Sequence, residues 1–244
     1  MKKILTIVLL VLGMVVPNLS QAQITYGLRV GVSSNQMVNS PLVFPVIDVS
    51  EKKALIGYDI AVFANFSISK ELSFQPEIHY LQKGQKYELS YSDGSSFVQH
   101  ELKNTHTVNF IEVPLLLKYS FGKKSFKPFI TTGVSFGYAL SQKYVGDDVW
   151  FYNNGKRIII GGNSIESISS TEWDTDFGTN KSKDNRMDVG LVLGLGVQKN
   201  IGKNSIILDF RYVNDFTDWK EYEGTTTLSK VTSRGFVISA GVSF

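Results

Sequence analysis

The stretch MDVGLVLGLGVQ, residues 187–198, places Met187, Val189, Leu191, Leu193, Leu195 and Val197 at every second position. Asp188, Gly190, Gly194, Gly196 and Gln198 fall between them. Each Gly costs a helix about 1 kcal/mol relative to Ala, whereas a strand with one apolar and one small face has this period of two. The apolar part, Val189 to Val197, is also far shorter than the roughly 20 residues a membrane-spanning helix needs.

The same pattern recurs on both sides of this stretch. Apolar residues alternate with small or polar ones in Tyr26 to Val32, Tyr58 to Phe66, Leu72 to Tyr80, Ile111 to Phe121, Ile130 to Tyr138, Ile206 to Tyr212 and Phe236 to Phe244. Eight strands are predicted. Their joins alternate in length: short at Ser67 to Glu71, Gly122 to Ser125 and Lys199 to Asn204, long at Ser34 to Gly57, Gly84 to Thr105, Ser141 to Arg186 and Val213 to Ser233. Short turns at one rim and long loops at the other are the rhythm of an up-and-down outer-membrane barrel, short turns on the periplasmic side. Pro76 and Pro114 each remove a ladder donor inside a strand, and a local bulge is the expected accommodation.

Which face points outward decides between a lipid-embedded and a soluble barrel. The apolar face carries Tyr26, Tyr58, Phe66, Phe74, Tyr80, Tyr119, Phe121, Tyr138, Tyr212 and Phe244 near strand ends, like the aromatic girdles at membrane interfaces. The opposite face is mostly Gly, Ser, Thr and Ala with scattered charges, an unsuitable exterior for a soluble protein. The apolar face is therefore read as facing lipid.

The amino terminus reads as an export signal. Lys2 and Lys3 precede an apolar run from Ile4 to Val16, and Ser20-Gln21-Ala22 has the small-x-small form of a cleavage site. As a helix the run rises about 20 Å, short of the roughly 30 Å hydrocarbon core. Residues 1–22 are expected to be removed, leaving 23–244 as one barrel domain. Without the two lysines the balance is 23 basic to 22 acidic residues. So even a balance argues against a nucleic-acid partner, and the absence of Cys excludes a disulfide scaffold and thiol chemistry.

The inward face carries Arg29, Asp59, Glu77, Glu112, Lys118, Asp188, Asp209 and Arg211. An eight-stranded barrel is just wide enough for side chains to fill, so these charges are expected to form a paired structural plug rather than an ion path. Catalysis on lipid or lipopolysaccharide acyl chains is the competing class, and it needs a nucleophile beside a base. The histidines are His79, placed on the inner face near the outer rim, and His100 and His106 in the second long join; no Ser pairs with any of them by spacing. No catalytic residue, cofactor or metal ligand is assigned. Asp174, Asp176, Asn180 and Asp184 have the oxygen-rich look of a calcium loop, without the spaced bidentate Glu such a loop uses. Gly190, Gly194 and Gly196 share strand parity with no helix following, so they read as space in the lumen rather than a nucleotide-binding fingerprint.

The long joins carry hairpin signals, by which strands three and four continue beyond the membrane as a ribbon. Tyr87 to Tyr91 and Phe97 to Glu101 flank Ser92-Asp93-Gly94-Ser95, and Val149 to Tyr152 and Arg157 to Ile160 flank Asn153-Asn154-Gly155. The second hairpin is not counted as two more membrane strands because Asp147, Asp148, Lys156 and Arg157 crowd it, and Lys or Arg facing lipid costs about 2–4 kcal/mol at the midplane. Trp150, Phe151, Tyr152 and Trp173 serve either as contacts for a partner or as packing between loops.

The stretch Phe110-Ile-Glu-Val-Pro-Leu-Leu-Leu-Lys-Tyr119, Lys127-Pro128-Phe129-Ile-Thr-Thr-Gly133, the strand Gly190 to Gly196 and Asp209-Phe-Arg-Tyr212 resemble the PorT-like outer-membrane β-barrel family. The resemblance implies an eight-stranded barrel, and one namesake takes part in protein secretion and gliding. The terminal Phe244, with alternating apolar residues before it, resembles the signal read by the barrel-assembly machinery. The expected protein is a monomeric outer-membrane barrel with a filled lumen and a structural, adhesion or secretion-associated role. Its expected partners are outer-membrane lipid and lipopolysaccharide, the assembly machinery, and a surface or secretion component.

Overall fold

Strands whose two faces seek opposite surroundings can satisfy both by closing into a cylinder, which also leaves no unpaired edge. The computed structural model describes residues 24–38, 51–92, 98–122, 125–152, 186–217 and 232–244. These form β1 (Ile24–Val38), β2 (Glu51–Ser67), β3 (Leu72–Ser92), β4 (Val98–Ser120), β5 (Phe126–Tyr152), β6 (Met187–Ile201), β7 (Asn204–Asp215) and β8 (Thr232–Ser243). Each strand pairs antiparallel with the next, and β8 returns to β1 from Gly27 opposite Ser243 to Val38 opposite Thr232. The result is the closed eight-stranded up-and-down barrel that the alternation predicts.

Its polarity is inverted relative to a soluble protein. Val30, Leu195 and Ile238 are 61%, 59% and 59% exposed, while Arg29, Asp209 and Arg211 are at most 4% exposed. The outer face also carries aromatic pairs between neighbouring strands, Tyr58 with Tyr80 at 5.7 Å and Phe210 stacked on Phe236 at 5.5 Å between centroids. Such cross-strand pairs stabilise the wall.

At the rim that holds Ile24 and Phe244 the described turns are tight. Ser69 Oγ accepts from the backbone N–H groups of Glu71 and Leu72 at 3.2 and 3.0 Å, closing the β2–β3 turn. Between β6 and β7 only Gly202 and Lys203 separate Ile201 from its partner Asn204, and Gly202 supplies the positive φ of 63° that this two-residue hairpin needs.

Three details differ from expectation. Neither proline produces a bulge: Phe74 faces Leu117, Pro76 faces Leu115 and Pro114 faces Ser135 in unbroken register. The missing donor at Pro76 instead interrupts pairing locally, the β2–β3 ladder passing directly from Phe63–Glu77 to Phe66–Phe74. The register shifts lie elsewhere, and in β5 Leu140 is the extra residue between Ala139, opposite Phe110, and Ser141, opposite Asn109. That insertion resets the alternation, so Ala139 and Gln142 both point inward.

The second difference is the length of β5, since β3 and β4 continue as the ribbon that the Ser92-Asp93-Gly94-Ser95 signal suggests. β3, β4 and β5 run for 21, 23 and 27 residues against 12 for β7 and β8, where crossing a bilayer takes about 9–11. Pairing between β3 and β4 continues to Ser92–Gln99, and between β4 and β5 to Tyr152–Val98. Val149 to Tyr152 therefore belong to β5 and pair with Val98 to Glu101. The third difference follows: with β3 continuing to Ser92, His79 lies in the lower part of the strand and not near the outer rim. Residues 1–22, His100's side chain, the side chains of Trp150, Phe151 and Tyr152, the Asn153-Asn154-Gly155 turn with Arg157 to Ile160, Trp173, and the Asp174 to Asp184 segment lie outside the described residues.

Candidate functional site

Every second residue of a barrel strand meets the same lumen, so charges far apart in sequence converge there. Glu77 from β3 stands at the centre. It accepts from Arg29 Nη2 of β1 at 2.7 Å and from Arg211 Nη1 and Nη2 of β7 at 2.6 and 2.9 Å. Gln75 adds a 2.5 Å bond from Nε2. Asp209 accepts from Arg29 Nη1 at 2.5 Å and from Arg211 Nε at 2.8 Å, closing a ring of two guanidiniums and two carboxylates. Such charge-assisted pairs are the strong class of hydrogen bond, and burial removes their competition from water.

His79 extends this group. Its Nδ1 lies 2.7 Å from Asp59 Oδ1 and its Nε2 2.6 Å from Glu77 Oε2. Two carboxylate acceptors, one on each ring nitrogen, match the two N–H donors of an imidazolium. With His79 charged, three cations face three anions, and the group is neutral as a whole.

A second cluster lies further toward the extracellular end. Lys83 Nζ contacts Glu112 and lies 3.1 Å from Asp188 and 2.7 Å from Asp215. Ser135 donates to Glu112 at 3.2 Å, and Ser233 donates to Asp215. Glu112, Asp188 and Asp215 have ligand atoms within 4.8 Å of one another, a spacing that could hold a metal ion. In this geometry the tethered ammonium of Lys83 stands among them instead, filling the position with a cation of the chain's own. Met37, Leu81, Val108, Phe110 and Ala139 form an apolar cluster beside it, the Phe110 ring lying 5.0 Å from the Lys83 ammonium.

The eight charges read from the sequence thus divide. Arg29, Asp59, Glu77, Asp209 and Arg211 meet in one group; Glu112 and Asp188 belong to the Lys83 cluster; Lys118 stands apart near the periplasmic end, bonded to Gln198 Oε1 at 3.0 Å. Lys83 and Asp215 escape the sequence reading because it ends the third strand at Tyr80 and the seventh at Tyr212. The signal was present, since Lys83 shares parity with Glu77 and His79, and Asp215 with Asp209 and Arg211. A further regularity needs the fold: three of the lumenal cations pack on inward aromatic rings, Arg29 on Phe63 at 5.2 Å, Lys83 on Phe110 at 5.0 Å and Lys118 on Phe129 at 4.2 Å.

Glycines make the room these side chains occupy. A Cβ on Gly190 would collide with Asp215, on Gly194 with Thr131 and Arg211, and on Gly196 with Phe129 and the backbone of Leu208. Salt-bridged groups thus span the barrel interior at the Arg29–Glu77 ring and at Lys83, beside a cluster of buried apolar side chains.

The chain resembles the Neisserial surface protein A (14% identity, 89% of this chain and 95% of that one, TM-score 0.37). It also resembles the attachment invasion locus protein Ail of Yersinia pestis (10%, 91% and 99%, 0.37) and OprG from Pseudomonas aeruginosa (10%, 90% and 95%, 0.40). No curated protein matches the chain. The family model described as "Outer membrane protein beta-barrel domain" matches residues 19–221, so with its lipid-facing wall and closed eight-stranded sheet the chain belongs to the outer-membrane β-barrel family and is an outer-membrane protein.

Proposed function

We propose that this protein is a sealed outer-membrane barrel that acts through its extracellular ribbon, as a structural, adhesion or secretion-associated component. The observation that carries the reading is the one-sided extension of β3, β4 and β5 to 21, 23 and 27 residues above a wall that needs about 9–11. A bare anchor has no need of it, and exposed strands held by a rigid scaffold are suited to recognition. Trp150, Phe151 and Tyr152 at the end of β5 are the proposed contact residues on the ribbon, with Trp173 after it.

The reading is non-catalytic. His79, the histidine most deeply set in the charge network, has both ring nitrogens on carboxylates, so it offers no base to a serine nucleophile. On this reading the protein works as a monomer without cofactor. It is surrounded by outer-membrane lipid and lipopolysaccharide, inserted by the barrel-assembly machinery, and paired at the surface with a secretion component or surface ligand, not with nucleic acid.

Crosslinking and pull-down from intact outer membranes tests this. The full chain should retain a surface or secretion partner that a variant lacking residues 88–101 loses. Recovery of only assembly machinery and lipopolysaccharide by both would refute the ribbon's role.

A further inference from the structure

Below the Arg29–Glu77 ring the lumen opens toward the periplasm in a cavity of about 460 Å³. Four of its lining residues are Lys70, Lys118, Lys127 and Lys203, against one carboxylate, Glu71. Lys118 sits deepest in the wall, 3% exposed. Its Nζ donates to Gln198 Oε1 at 3.0 Å and lies over the Phe129 ring at 4.2 Å, both neutral partners. Among the described residues no carboxylate forms an ion pair with it. The nearby acids are already engaged, Glu77 and Asp209 by Arg29 and Arg211.

A buried cation ordinarily has a counter-charge, because desolvating it alone is costly. Here the ammonium is held in place by a fixed chain of polar groups. Gln198 Nε2 donates to Asn200 Oδ1 at 3.2 Å and to Ser205 Oγ at 3.1 Å, and Ser205 Oγ donates to Asn200 at 2.9 Å. This chain points the amide oxygen of Gln198 at Lys118 and leaves part of the ammonium's donor capacity directed at the cavity. The remaining lysines ring the entrance, so the field inside favours negative charge and the neutral lumenal walls focus it.

We propose that this periplasmic cavity is a binding site for an oxyanion, the phosphate or carboxylate of a periplasmic molecule, with Lys118 as its floor and Lys70, Lys127 and Lys203 as its rim. The site is independent of the extracellular ribbon and lies at the opposite end of the barrel. It supplies the counter-charge that Lys118 lacks within the protein.

The test uses the full-length barrel in a non-ionic detergent, titrated separately with inorganic phosphate and with acetate while backbone amide resonances of residues 118, 198 and 205 are followed. Saturable shifts at these residues are expected, and whichever probe binds tighter identifies the class of oxyanion. Lys118→Met should weaken binding at least tenfold, Lys118→Arg should retain it, and Lys86→Gln at the other end should leave it unchanged. Should Lys118→Met fail to fold, as judged by loss of resonance dispersion, the Lys70→Gln/Lys127→Gln double variant replaces it and should weaken binding severalfold. Non-saturating shifts with both probes, or an affinity unchanged in these variants, would overturn the assignment.

Discussion

Glu77 shows what a single inward residue contributes. It accepts from two guanidiniums, an imidazole and an amide, so replacing it removes a shared counter-charge rather than one contact. Glu77→Gln should lower the unfolding free energy in micelles by about 3–5 kcal/mol, the range for breaking a buried pair while its partners stay buried. A loss below about 1 kcal/mol in a denaturant titration would show that the ring reorganises around neutral Gln. The inward position of Glu77 was legible from parity alone, since Gln75 and His79 flank it on the same face. Its partners were not, because Arg29 and Arg211 stand 48 and 134 residues away and only closure of the sheet brings them together.

At the level of the strand, alternation fixes the cost of a charge by the face on which it lands. Leu195 in β6 is 59% exposed on the lipid face between Ile130 and Phe210, while its neighbour Gly194 faces inward. Leu195→Arg should destabilise the folded barrel by about 2–4 kcal/mol, and Ile201→Arg beside the Gly202 turn by about 0–1 kcal/mol, as depth in the bilayer dictates. Equal unfolding midpoints for the two variants in lipid vesicles would contradict the orientation of the wall. Strand existence and facing were readable because each apolar run obeys a period of two. The continuation of β3 and β4 was legible from the Ser92-Asp93-Gly94-Ser95 turn signal, but the length of β5 was not: polar residues such as Ser141, Gln142 and Lys143 end its apolar pattern, and pairing with β4 carries it on to Tyr152.

For the molecule as a whole, the two charged clusters and the apolar cluster of Met37, Leu81, Val108, Phe110 and Ala139 lie within one narrow lumen. Ion pairs this dense hold the strands together across the interior. The purified monomer in a planar bilayer should therefore show no stable conductance. A large, steady single-channel current would mean that the clusters part in the membrane.

The sequence by itself determined the strand number, the order of neighbours and the face each strand turns to lipid, because all three follow from local alternation and from the lengths of the joins. Tertiary structure decided which charges meet, the division into an Arg29–Glu77 group and a Lys83 cluster, the isolation of Lys118, and the extension of β5 alongside the β3–β4 ribbon. Those outcomes depend on register between strands and on the radius at which the cylinder closes. A linear pattern of period two carries neither quantity.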